Sequence, residues 1–249
     1  MLAMVAIGPV NFYIYGGLMA LGVLVGFLVA RLRAKLYQVT NSTVESIFLI
    51  LIPSSVLGAR AYHVLHYKAY YFNHPGEIFL LWQGGLGVFG ALIAGISALA
   101  IYAKIKHYSF WQLTDLLLPS AAILQAIGRI GNFFNQEAFG PPTDLPWKVY
   151  IDPSRRPSSW QNHTSFHPLF LYEFLAMLAV FLILLLLERK GQKIGFASGV
   201  YFLLFGTIRF LTEFARFDTW QIQGVKVAQV LSLVAILLGL ILLLRPKTK

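Results

Sequence analysis

Long apolar runs separated by short polar segments repeat along the whole chain. Seven such runs predict membrane spans at about 12–30, 44–65, 86–103, 112–131, 168–187, 196–215 and 227–244. Each approaches or exceeds the roughly 18 residues needed to cross a hydrocarbon core. Gly8-Pro9 precedes the first run, and Pro141, Pro142 and Pro146 close the fourth. Pro168 opens the fifth, a place where a helix accepts proline because the first amides need no partner. The Tyr-, His- and Gly-containing stretch 66–85 is expected to hold a short interfacial helix. The expected fold class is all-α: a polytopic integral membrane protein of about seven transmembrane helices. A single domain covers 1–249, with an extracytoplasmic loop at about 137–167. No internal repeat of the kind that marks many transporters is visible.

Composition strengthens this reading. Only 12% of residues are charged, about half the share in an ordinary soluble domain, so separate soluble domains have no room. Mean hydropathy is +0.68. A net charge of +10 would suggest nucleic acid in a soluble protein. Here the cations collect at the ends of apolar runs, which fits topology and anionic-lipid contact and excludes a nucleic-acid partner. Eleven of the 20 Lys and Arg fall in four short segments: Arg31, Arg33, Lys35; Lys104, Lys106; Arg189, Lys190, Lys193; and Arg245, Lys247, Lys249. The positive-inside rule puts these segments in the cytoplasm, giving an N-out, C-in orientation. Trp82, Trp147, Trp160 and Trp220, with Tyr62, Tyr67, Tyr70 and Tyr71, form the expected interfacial belt on the outer side. Residues 1–9 carry no basic residue, so no secretory leader is expected. The chain has no cysteine and hence no disulfide framework.

The candidate chemistry lies in the polar residues that interrupt the spans. Arg129 sits in Gly-Arg-Ile-Gly-Asn-Phe-Phe-Asn-Gln-Glu, 128–137. An arginine near a bilayer core costs about 3 kcal/mol on insertion scales, so it is expected to pair with a carboxylate or bind an anion. Arg129 lies 14 residues beyond Asp115 and Arg209 14 beyond Gly195, both near the inner starts of their spans, a depth of about 21 Å at 1.5 Å per residue. Arg60 lands slightly higher, and one shared polar cavity is the economical expectation. Arg209, Glu213 and Arg216 are spaced i, i+4, i+7, which would place them on one helix face. A local ion pair is the plainest use of that face. Yet two cations share one carboxylate there, Arg129 adds a third cation, and Glu137 could offset only one. The surplus positive charge calls for an anion, and a guanidinium fork suits phosphate. No zinc-site spacing, P-loop or nucleophile elbow occurs, so neither metal nor cofactor is expected.

Gly128 to Gly140 resembles the signature of the bacterial prolipoprotein diacylglyceryl transferases. The similarity extends to Tyr15-Gly16, Gly58-Ala59-Arg60, Trp82-Gln83-Gly84-Gly85, His167-Pro168 with Leu171-Tyr172-Glu173, and Arg209-Phe210 with Glu213-Phe214 and Arg216, in that family's order. It covers about 8 to 240. The resemblance implies a multi-pass enzyme of the bacterial cytoplasmic (inner) membrane, with its active site toward the outer leaflet. It would transfer the diacylglyceryl group of phosphatidylglycerol to the lipobox cysteine thiol of a preprolipoprotein and release glycerol 1-phosphate. It implies that Arg129 binds phospholipid, that Asn132, Gly140, Arg209 and Glu213 are essential, and that Tyr15 is functional. Arg60, His167 and Arg216 complete the expected substrate-binding set. Glu213, Glu137 and His167 are the candidate bases for the thiol proton. Phe89 departs from the family, which often has His and sometimes Tyr there. The alternatives are an anionic-phospholipid-binding or transport protein that does no chemistry, and an inactive paralogue.

Overall fold

The computed structural model describes residues 4–7, 10–188, 192–217 and 219–246, and it is mostly helical. A short antiparallel hairpin, β1 (Met4–Ile7) and β2 (Val10–Tyr13), runs directly into α1 (Ile14–Arg33). There follow α2 (Asn41–His66), α3 (Lys68–Asn73), α4 (Val88–Ile105) and α5 (Phe110–Asn135). Two-residue strands β3 (Val149–Tyr150) and β4 (Ser165–Phe166) pair before α6 (Leu169–Leu187) and α7 (Phe196–Thr212). A second small pair, β5 (Gln221–Ile222) and β6 (Val225–Lys226), leads into α8 (Val227–Leu244).

Six of these helices are long and apolar enough to cross a membrane. The sixth of the seven expected spans, α7, is a helix of 17 residues that carries Arg209 and falls outside that set. It also ends at Thr212 instead of 215, because Glu213–Ala215 tightens into a 3-10 turn. The fourth expected span runs further than its sequence pattern suggested, to Asn135. The 66–85 stretch does hold a short helix, α3, followed by 3-10 turns at Pro75–Phe79 and Leu81–Gln83.

The chain forms two units: 1–33 with 114–249, and 34–113. Within the first, small residues let helices approach closely, the usual device where lipid removes the hydrophobic drive for association. A Cβ at Gly22 would lie 2.6 Å from Leu124 Cδ1, and Ser120 Oγ donates to Gly26 O at 2.6 Å, so α1 lies tightly on α5. A Cβ at Gly239 would lie 2.6 Å from Leu203 N, which holds α7 against α8. In the second unit Gly58 and Gly90 join α2 to α4 the same way; a Cβ at Gly90 would collide with Gly58 O.

The amino end of α7 is capped from another helix. Asp115 accepts from Gly195 N at 2.6 Å, Ser198 N at 2.7 Å and Ser198 Oγ at 2.6 Å. These are orphan donors that a helix start must place somewhere, and the carboxylate also meets the positive end of the helix dipole. Arg33 joins this network by donating to the carbonyls of Asp115 and Leu116 and by pairing with Glu188. Arg33 was counted above among the basic loop residues, yet it is a buried structural cation. Arg189, Lys190, Lys247 and Lys249, from the same count, lie outside the described residues.

Candidate active site

The far end of α5 from Asp115 carries Arg129, and three arginines meet there on one carboxylate. Glu173, in the second turn of α6, is the hub. Arg129 Nε lies 2.9 Å from Glu173 Oε2, and Arg209 Nη1 lies 3.5 Å from Oε1. Arg216 Nη2 lies 2.9 Å from each oxygen, while its Nε donates to Oε1 at 3.2 Å. Arg209 has a second carboxylate, with Nη2 2.9 Å from Glu213 Oε2, a contact that is ionic and not a well-directed hydrogen bond. Thr219 Oγ1 donates to the other oxygen, Oε1. The Glu173 and Glu213 side chains are 3% and 0% exposed, but those of Arg129 and Arg209 are 25% and 23% exposed. The carboxylates are therefore enclosed, while the side chains of Arg129 and Arg209 remain partly accessible.

Local structure explains why these side chains meet. Of the i, i+4, i+7 face expected for Arg209, Glu213 and Arg216, the Arg209–Glu213 pair forms, but Arg216 leaves it because the helix gives way before that residue. Arg216 is extended (φ −88°, ψ 135°), and this turns its side chain onto Glu173. Lys226 Nζ donates to Glu213 O at 2.6 Å and Arg216 O at 2.8 Å. The ammonium thus joins two carbonyls at the helix end, of which Glu213 O also accepts from Arg216 N at 3.3 Å. Phe217, next in the chain, packs with its ring centroid 5.1 Å from Phe139 and 4.9 Å from Trp160. With buried Ile151 and Phe166 these rings make a small core inside the 137–167 loop. The loop is thus a folded element that anchors the chain beside Arg216.

The remaining candidates surround this centre at different ranges. Asn132 Oδ1 accepts from Arg129 Nη1 at 3.2 Å and so orients the guanidinium. The Tyr15 ring lies over Gly131, where a Cβ would come within 2.5 Å of Tyr15 Cδ2; only glycine leaves room beside Arg129. Gly140 N donates to His167 O at 2.9 Å, and His167 N donates to Pro141 O at 3.0 Å. This clasp closes the loop, and a Cβ at Gly140 would meet His167 Cβ at 3.0 Å. His167 Nδ1 lies 3.2 Å from Tyr172 Oη, which accepts from Trp147 Nε1 at 2.8 Å. Glu137 contributes its amide, which donates to Asn132 O at 2.9 Å. Among the described residues its carboxylate has no ion-pair partner. The offset assigned to Glu137 in the charge balance therefore belongs to Glu173.

Arg60 belongs to the other unit, where its guanidinium donates to backbone carbonyls: Ile78 at 2.8 Å, Gly84 at 2.7 Å, Gly85 at 3.2 Å, and Glu77. It also lies over the Tyr71 ring, 5.3 Å from the centroid. Gly84 and Gly85 adopt positive φ (86° and 72°), the conformation that turns their carbonyls onto the arginine and that glycine adopts without penalty. Phe89 packs in the same unit, 6.1 Å from the Tyr62 ring.

Glu173 was visible in the sequence but was passed over as a site residue. Its signal is plain in retrospect: it is the sole charged residue between Leu169 and Leu187. A lone carboxylate in such a helix requires a cation. Lys226 gave no comparable signal, since its role depends on where the chain returns after β5.

The helices and the buried arginine–carboxylate centre define the class: a multi-pass helical membrane protein with a polar, charged site. The family model described as prolipoprotein diacylglyceryl transferase matches residues 2–245. A Trichormus variabilis protein named phosphatidylglycerol–prolipoprotein diacylglyceryl transferase is 41% identical over 95% of this chain and 86% of its own length. Proteins of the same name from Thermosynechococcus vestitus (39% identical; 95% of this chain, 89% of theirs) and Finegoldia magna (36%; 94% and 90%) are also similar. The chain belongs to the prolipoprotein diacylglyceryl transferase family.

Proposed function

We propose that the chain is a phosphatidylglycerol–prolipoprotein diacylglyceryl transferase. The observation that carries this reading is the convergence of Arg129 and Arg209 on Glu173, with about a quarter of each arginine side chain exposed. Three arginines against Glu173 and Glu213 leave one surplus positive charge, and Lys226 adds a further cation behind the turn. A phosphodiester head group satisfies that surplus. The lipobox cysteine sulfur attacks the glyceryl carbon of the diacylglyceryl group, and the carbon–oxygen bond to phosphate breaks. The phosphate passes from one negative charge to two as glycerol 1-phosphate leaves. Arg129 and Arg209 stabilise that developing charge in a water-poor site. The same positive field favours the attacking thiolate. The thiol proton goes to a nearby base and from there to solvent, so the product leaves with two negative charges.

Asn132 and Tyr15 hold Arg129 in place, Glu213 holds Arg209, and Arg216 closes the back of the centre. Gly140 and His167 shape the loop on the acceptor side. Arg60 supports the Gly84-Gly85 turn, so its part in lipid binding is indirect. Seven spans in an N-out, C-in orientation put this centre toward the outer leaflet of the bacterial inner membrane. The reading is tested by incubating the purified chain with phosphatidylglycerol vesicles and a lipobox peptide. A thioether-linked diacylglyceryl adduct on the peptide cysteine is expected. Lipid binding with no adduct would sink the assignment and leave a lipid-binding protein.

A further inference from the structure

The hub itself is the part of the centre whose role is unassigned. Glu173 touches all three arginines, and its side chain is 3% exposed where those of Arg129 and Arg209 are 25% and 23% exposed. It therefore sits in the wrong place to bind an anion or to meet a thiol. Its effects are geometric and electrostatic. It ties arginines from α5, from α7 and from the chain beyond α7 to one point, and it cancels one of their three charges.

We propose that Glu173 is the positioning residue that sets the site's charge, so that the site favours the singly charged phosphodiester of the donor over the doubly charged phosphomonoester of the product. This rests on the reading that Arg129 and Arg209 hold the donor phosphate. A centre without Glu173 would keep its arginines and gain one net positive charge. A doubly charged ligand responds to that change twice as strongly as a singly charged one. At about 6 Å and an effective dielectric of roughly 20–40, the extra unit of charge favours the dianion by a factor on the order of ten to a hundred. Product would then be held after the carbon–oxygen bond has broken, and turnover would slow while donor binding tightened. Glu173 would thus let the enzyme hold a charged donor tightly and still release a more highly charged product.

The test measures inhibition of the full-length enzyme by glycerol 1-phosphate and by its methyl diester, which carry two charges and one. Glu173→Gln should raise the preference for the monoester at least tenfold and lower kcat together with the donor KM. Glu173→Asp should restore a ratio near that of the wild type. Arg216→Gln, which removes a positive charge from the same hub, should move the preference in the opposite direction. If Glu173→Gln does not fold, the direction of the Arg216→Gln shift decides. An unchanged ratio, or a shift of the same sign in both variants, overturns the proposal while leaving the donor-binding reading intact. A wild-type enzyme that neither phosphate inhibits overturns both.

Discussion

Arg129→Lys keeps the charge at the centre and removes the fork. Arg129 makes two contacts from different nitrogens, an ion pair from Nε to Glu173 at 2.9 Å and a hydrogen bond from Nη1 to Asn132 at 3.2 Å. A quarter of its side chain remains exposed toward the proposed phosphate position. A lysine has one nitrogen on a flexible stem. It can keep the Glu173 contact or reach outward, but it cannot also hold Asn132 and present two donors to a phosphate. The loss of at least one charge-assisted hydrogen bond is worth about 1.5–3 kcal/mol, and each ~1.4 kcal/mol is tenfold in rate. The expected drop in kcat/KM is therefore roughly 10- to 150-fold. Glu173 stays paired, so the variant should fold with little change in thermal stability. The assay is transfer of the diacylglyceryl group to a fluorescent lipobox peptide, run over a range of phosphatidylglycerol concentrations beside a melting curve. Turnover within threefold of the wild type would refute the argument. So would a loss of activity that tracked a loss of stability.

Three further outcomes follow from the geometry. Gly131→Ala places a methyl 2.5 Å from Tyr15 Cδ2, and overpacking of this kind costs about 1–3 kcal/mol. Both stability and activity should fall, and adding Tyr15→Ala should recover the stability; equal stability losses with and without the tyrosine would refute the contact. Glu213→Gln removes a fully buried carboxylate from Arg209 while keeping its shape, so turnover should fall at least tenfold with lipid binding retained; unchanged turnover would exclude Glu213 from the chemistry. Phe89→Leu should retain most activity and lose roughly 1–2 kcal/mol of stability, since an apolar ring yields to a smaller apolar group. A wild-type chain inactive until Phe89→His is introduced would instead show that a base is missing at that position.

Much of the architecture is decided by the sequence alone. The long apolar runs define where the helices lie to within a few residues at each end, and Val227–Leu244 coincides with its run. The cost of an arginine in such a run marked Arg129 and Arg209 as groups that need a partner. Tertiary structure decided what that partner is. Glu173 lies 44 residues from Arg129 and 43 from Arg216, and local spacing carries no information about such a meeting. The helical face drawn through Arg209, Glu213 and Arg216 lost Arg216 for a related reason. A periodic pattern assumes that the helix continues, but Lys226 takes the carbonyls at its end and Phe217 packs into the 137–167 core, so the chain turns before Arg216. Arg60 shows the same limit: its depth suggested the polar cavity, while the carbonyls that occupy it come from a turn 17 to 25 residues away. Hydrophobic periodicity and the cost of burying charge are one-dimensional constraints, legible in the chain. The pairing of charges is settled only when the helices pack, because it depends on which side chains then lie within a few ångströms.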